Sequence, residues 1–164
     1  MSAVTSPYAI DLNQNIFLRQ NWTQYKQSQR SSDPNLAACK HCDDPISNTQ
    51  HMYIDCPIAV KTWKLYNSLI KKCFSVTITR TPETILFHQE LPETNHKIRK
   101  AITDTMIGVK KLIQNFNFRR DSDTVLNHHE IKASFYNNIL ETIFANKCID
   151  RLNDMYHELF QGLS

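Results

Sequence analysis

The sequence predicts a mostly α-helical fold, with a cysteine- and histidine-rich segment inserted between an N-terminal helix and a C-terminal helical bundle. Three observations carry that expectation. Glycine occurs only 2 times in 164 residues, and β-branched alternation is scarce. Apolar residues recur at helical spacing over long stretches, most cleanly over residues 94–117. Three of the five cysteines fall within residues 39–56, with histidines among them. An apolar fraction of 41% and an aromatic fraction of 10% suffice for a core and argue against disorder. The length suits one domain, or one domain with a small appendage, divided as 1–37 (helix and linker), 38–57 (the Cys/His segment) and 58–164 (helical domain).

Residues 10–28 read as the first helix, because Ile10, Phe17, Leu18, Trp22 and Tyr25 can share one broad face. RSSDPNLA at 30–37 reads as a linker of turn formers. A helix is expected to start at Pro57, since the N–H that proline lacks would be unpaired in a first turn anyway. Ile58, Trp63, Tyr66, Leu69, Ile70 and Cys73 follow at helical spacing. VTIT at 76–79 reads as a short strand or an extended connection, and Thr81-Pro82-Glu83-Thr84 as the start of a short helix ending near His88. Along 94–117, Ile98, Ile102, Thr105, Val109, Leu112 and Phe116 mark one stripe. Lys97, Lys100, Lys110 and Lys111 are expected on the other face. RRDSD at 119–123 is a polar break, after which one or two helices span roughly 127–160. His128-His129-Glu130 reads as a polar helix start, because adjacent histidines on a helix point about 100° apart.

Net charge is only +3, but it is unevenly spread. Residues 1–56 carry four basic and five acidic side chains, 57–120 twelve and four, and 121–164 three and seven. The basic middle is either a solvated helix face or a surface for phosphate backbones. The opening MSAVTSPYAIDLNQ has neither the basic start nor the apolar run of a signal peptide. No stretch is apolar enough to span a bilayer. The expectation is a nuclear or cytoplasmic protein with no membrane partner, whose thiols stay reduced.

In that setting the segment CKHCDDPISNTQHMYIDC points to metal. Its spacing, C-x2-C-x8-H-x4-C, offers three thiolates and an imidazole, the soft and borderline ligands that zinc takes in a tetrahedron. Cys39, Cys42, His51 and Cys56 are therefore the expected ligands of one Zn2+. On a straight α-helix the five residues from His51 to Cys56 turn by about 500°, leaving the two side chains about 140° apart. Pro57 pushes Cys56 out of the helical region, and a break there can return its sulfur to the side of His51. Buried structural thiols with a surface histidine are the plainer alternative, and Cys73 and Cys148 are assigned to the core on that ground. A redox C-x2-C would need a thioredoxin-like βαβ setting, which the pattern lacks. His41, between the paired cysteines, is expected not to ligate. Four protein ligands leave no open position, so the site should be structural. G-x-S-x-G, H-E-x-x-H and P-loop patterns are missing.

The string CKHCDDPISNTQHMYIDCPIAVKTW resembles the zinc-binding domain that follows the polymerase in non-LTR (LINE-type) retrotransposon reverse transcriptases. That family shows two cysteines, a polar loop, histidine, two or three apolar residues, then Cys-Pro, an apolar helix start and Trp. Cys39, Cys42, His51, Tyr53, Cys56, Pro57, Ala59 and Trp63 stand where the pattern wants them. The likeness covers about 25 residues; the polymerase aromatic-x-Asp-Asp motif and the downstream endonuclease pattern are absent, and so is the acidic residue the family often has just before the histidine. The resemblance implies a knuckle that helps a reverse transcriptase polypeptide engage template RNA and target DNA, without polymerase activity of its own.

Contacts to RNA or DNA are expected from Lys61, Lys64, Lys71 and Lys72 on the helix leaving the knuckle, and from Phe118, Arg119 and Arg120 after the central helix. The cations would hold phosphates and Phe118 would stack on an unpaired base, unless it is core. Those four lysines are expected to ring the helix, so that one or two turn away from a ligand. The alternative function is a helical protein-interaction module that zinc only braces.

Overall fold

A computed structural model describes residues 7–17, 21–42, 44–118 and 126–145. These residues form six α-helices: α1 (Pro7–Phe17), α2 (Gln24–Ser31), α3 (Pro57–Phe74), α4 (Pro82–Phe87), α5 (His96–Asn117) and α6 (His128–Ala145). A 3-10 turn at Pro34–Ala37 and a π-helical turn at His51–Asp55 lie between α2 and α3. There is no strand among the described residues, and none of their helices is long and apolar enough to cross a membrane.

The single helix expected over 10–28 is two. Thr23 takes an extended conformation and its side chain accepts from Lys26 N at 3.2 Å, capping α2 afresh. Asn21, buried, donates its N–H back to Asn15 O at the end of α1. Leu12 and Ile16, one turn apart on α1, enter the core, whereas Trp22 and Tyr25 stay exposed. The buried members of α2 are Gln24 and Ser28 rather than an apolar stripe.

The later elements follow the sequence more closely. α3 starts at Pro57 and buries Ile58, Ala59, Trp63, Tyr66, Leu69 and Ile70. Residues 76–80 are an extended connection. The Asn67 side chain donates to Ile78 O and accepts from Ile78 N, at 2.7 and 2.8 Å, as a neighbouring strand would. Thr81 caps α4, and His88 ends it in the left-handed region. Asn127 and Glu130 cap α6 reciprocally, each side chain accepting from the other's N–H.

α5 is the central element, packing on α1, α3, α6 and the π turn. It is therefore buried around most of its circumference, and one of the four lysines expected on its solvent face is not there. Lys97 and Lys100 are exposed and Lys111 half-buried, but Lys110 is fully buried. Its ammonium finds three acceptors at the junction of α1, α4 and α5: Asn13 Oδ1 (2.8 Å), His88 Nε2 (2.8 Å) and Leu86 O (3.4 Å). The helix expected to run on to about residue 160 lies outside the described residues from 146 onward.

Candidate metal centre

The four expected ligands converge. Sγ of Cys39, Cys42 and Cys56 and a ring nitrogen of His51 all lie within 4.8 Å of one another, close enough to hold a metal ion. Cys39 Sγ and Cys56 Sγ are 3.8 Å apart, and Cys42 Sγ and His51 Nε2 are 3.5 Å apart. Cys42 is partly exposed; the other three are buried. Cys73 sits on α3, half-buried against the core, and Cys148 lies outside the described residues.

Each ligand is placed by a local backbone device. Cys39 N–H donates to Asp44 O at 2.9 Å and closes the loop that carries Cys42. Asn48 Oδ1 accepts from His51 N at 2.9 Å and so starts the following turn. That turn is not α-helical. Cys56 N–H donates to His51 O at 2.8 Å, an i to i+5 bond. A π turn takes more residues per revolution than an α turn. Five residues then come close to one revolution, and the side chains of His51 and Cys56 return to the same side. Cys56 itself has φ −56° and ψ 134°, the extended conformation expected before proline. The break at Pro57 and the wide turn act together.

A π turn that stops after five residues leaves carbonyls without helical donors. Trp63 Nε1–H donates to Tyr53 O at 2.7 Å, and the Arg80 guanidinium donates to Ile54 O. Tyr53 OH donates to Gln114 Oε1 on α5. Trp63 and Arg80 thus hold the turn that aims His51 and Cys56.

Asp44 is a site residue that the spacing argument passed over. Its main-chain oxygen binds Cys39 N–H, Oδ1 accepts from Ile46 N at 2.9 Å, and Oδ2 lies 3.1 Å from His51 Nδ1. That last approach is within ion-pair distance but off the hydrogen-bond direction, and Nδ1 is otherwise without a partner. A metal-binding histidine commonly turns its second nitrogen to a carboxylate, and Asp44 stands in that position. His41 instead aims Nε2 at Phe116 O, 3.0 Å away, and ties the cluster to the end of α5. Ser47, fully buried, donates Oγ–H to Gln24 Oε1 and N–H to Ala37 O, joining the loop to α2 and the 3-10 turn.

The three thiols shift one another. The contact with Cys56 lowers the Cys39 thiol, and the same contact together with burial raises Cys56. Burial raises Cys42.

The expected nucleic-acid contacts divide. Lys61, Lys64, Lys71 and Lys72 are all exposed on one uninterrupted helix. At 3.6 residues per turn they fall within an arc of about 100°, so they make one stripe rather than a ring. Phe118 packs partly against the core. Arg119 and Arg120 lie outside the described residues. Comparison with protein-family models, with curated proteins and with solved structures finds no match for this chain.

Proposed function

We propose that this chain is a structural-zinc domain that binds nucleic acid, akin to the zinc-binding region near the C-terminal end of non-LTR retrotransposon reverse transcriptases. The observation that carries the zinc reading is the spacing of two pairs within the cluster. Zn–S bonds of about 2.3 Å and Zn–N bonds of about 2.0–2.1 Å, set in a tetrahedron, put sulfurs about 3.8 Å apart and sulfur and nitrogen about 3.6 Å apart. The pairs Cys39–Cys56 and Cys42–His51 stand at 3.8 and 3.5 Å. Three thiolates with one imidazole suit zinc and fill its four positions, so the ion braces the fold and offers no open site for catalysis.

The resemblance of residues 39–63 supports the rest. In the family pattern Cys-Pro is followed by an apolar turn and Trp; here Pro57 sets Cys56 and Trp63 caps the turn that aims it. The lysine stripe on α3 leaves the cluster directly and offers a row of cations to a phosphate backbone. In this reading the ion fixes the start of α3, and α3 presents the row to RNA or DNA, beside a reverse transcriptase polypeptide that does the chemistry.

The test is the salt dependence of binding. With roughly four to six phosphate contacts, the log–log slope of affinity against salt should be about −3 to −5. Reversing Lys61, Lys64, Lys71 and Lys72 to Glu should weaken RNA and DNA binding together and flatten the slope, without releasing metal. Wild-type protein that retains neither polymer at low ionic strength would end the nucleic-acid reading and leave a zinc-braced interaction module in its place.

A further inference from the structure

The large apolar side chains exposed among the described residues are Trp22, Tyr25, Leu36 and Ile46. All four come from residues 21–50, beside the metal cluster, and none from α3, α5 or α6. Their segments are joined: Tyr25 N–H donates to Ser47 O at 3.3 Å, and Ser47 N–H to Ala37 O at 2.7 Å. The aromatic pair stands out because the chain breaks between α1 and α2, and α2 offers it no apolar groove. Trp22 keeps 36% and Tyr25 38% of their surface in solvent.

The helix that carries Tyr25 and follows Trp22 is basic: α2 holds Lys26 and Arg30 and no carboxylate. The Arg30 guanidinium lies 4.7 Å from the centre of the Trp22 ring, a cation–π contact that also holds the ring in place. An aromatic face pinned beside cations matches a ligand that is both planar and anionic.

We propose that Trp22 and Tyr25 form a stacking platform for unpaired bases of a single-stranded nucleic acid, with Arg30 meeting the adjacent backbone. The proposal rests on the nucleic-acid reading above and moves its stacking element from Phe118, which packs against the core, to the edge of the metal cluster. Duplex reaches only the lysine stripe; a single strand reaches both surfaces. Ring–base stacking is sequence-tolerant, so this platform selects for strandedness rather than for a base order.

The chain has 2 tryptophans, and the second, Trp63, is buried with its N–H on Tyr53 O. Trp63 emits as well but lies out of a base's reach, so quenching on binding reports on Trp22. Full-length, metal-loaded protein is titrated at low salt with a deoxythymidine dodecamer and, separately, with a dodecamer duplex. The single strand should quench emission on binding. Trp22→Ala should lose about fivefold to 150-fold in single-strand affinity, Tyr25→Ala should also weaken it, and Trp22→Phe should restore most of it. Duplex affinity should change less than about twofold, and the metal content of each variant should match wild type. Single-strand binding without quenching, or Trp22→Ala binding as tightly as wild type, overturns the platform while the charge reading stands. Loss of metal in Trp22→Ala would make quenching in the wild type and the Trp22→Phe rescue the deciding readouts. Binding of neither polymer by wild type overturns both readings and assigns the patch to a protein partner.

Discussion

Between α3, α5 and α6 the buried side chains are mainly Ile, Leu, Met, Phe and Trp; between residues 21 and 51 they are mainly Asn, Thr, Gln and Ser. Burying one large apolar side chain contributes about 1.5–3 kcal/mol. A protein hydrogen bond contributes on balance only about 0.5–1.5 kcal/mol, because water is given up to make it. The bundle can therefore hold itself, while the cluster segment is a web of polar contacts around four ligands. Gln24 to Ser47, Thr49 to Asn21 and His41 to Phe116 O give that web its shape. Shape is not stability, and in the zinc reading proposed above the ion would supply the missing free energy. The two regions meet at Gln114 and Phe116 near the end of α5, where Tyr53 and His41 dock.

The sharpest way to break this comparison is to remove the ion. Metal binding at a structural zinc contributes on the order of 10 kcal/mol to folding in isolated zinc-finger peptides. A chelator should therefore abolish amide protection over residues 21–56 and leave it largely intact in the cores of α3 and α5, read by hydrogen exchange. The segment is wider than the ligands because α2 hangs on Ser47. Global unfolding on chelation would mean that the bundle shares the cluster's dependence.

A smaller effect tests a titratable side chain buried in the bundle. Burial pushes Lys110 down to about 7 from an ordinary 10.5, and burial with the Lys110 charge pushes His88 down to about 3, keeping its ring neutral as an acceptor. Between about pH 7 and 10.5 the unfolded chain holds the lysine proton and the fold does not, so stability should rise with pH across that window and level off above it. Comparing denaturant midpoints of wild type and Lys110→Met should isolate that rise, on the order of a few kcal/mol, as the part of the slope the variant lacks. Parallel curves would show that Lys110 stays charged through neutral pH.

The least change expected concerns the seam. Trp63→Phe keeps the ring but removes the donor to Tyr53 O, and the lost hydrogen bond should cost about 0.5–1.5 kcal/mol. The loss should appear as easier chelation, since that carbonyl belongs to the turn that aims His51 and Cys56. Unchanged chelator competition would mean that the π turn holds its shape without Trp63.

Much of the bundle was readable because its signals are local. Pro57, Thr81-Pro82 and Asn127 with Glu130 are helix starts whose chemistry acts within one turn, and the stripe from Ile98 to Phe116 is its own periodicity. The break before α2 was missed because Trp22 and Tyr25 continue the spacing of Phe17 and Leu18. Thr23, a capping residue, was the signal against a single helix. Lys110 could not be placed, since its partners Asn13 and His88 lie 97 and 22 positions away. In the cluster the grouping of Cys39, Cys42, His51 and Cys56 was readable from spacing. The π turn announced itself only as a misfit, the 140° between His51 and Cys56 on an α-helix. Asp44 stands outside the ligand spacing; the signal for it is the need of a metal-bound His51 for a carboxylate at its second nitrogen.

The central claim is that one zinc ion sits among Cys39, Cys42, His51 and Cys56. Elemental analysis of the purified, folded protein tests it directly. The account predicts about one zinc per chain, kept in Cys73→Ser and Cys148→Ser and lost in Cys39→Ser or Cys56→Ser. A folded protein free of zinc, or one that loses its metal when Cys73 or Cys148 is replaced, would contradict it.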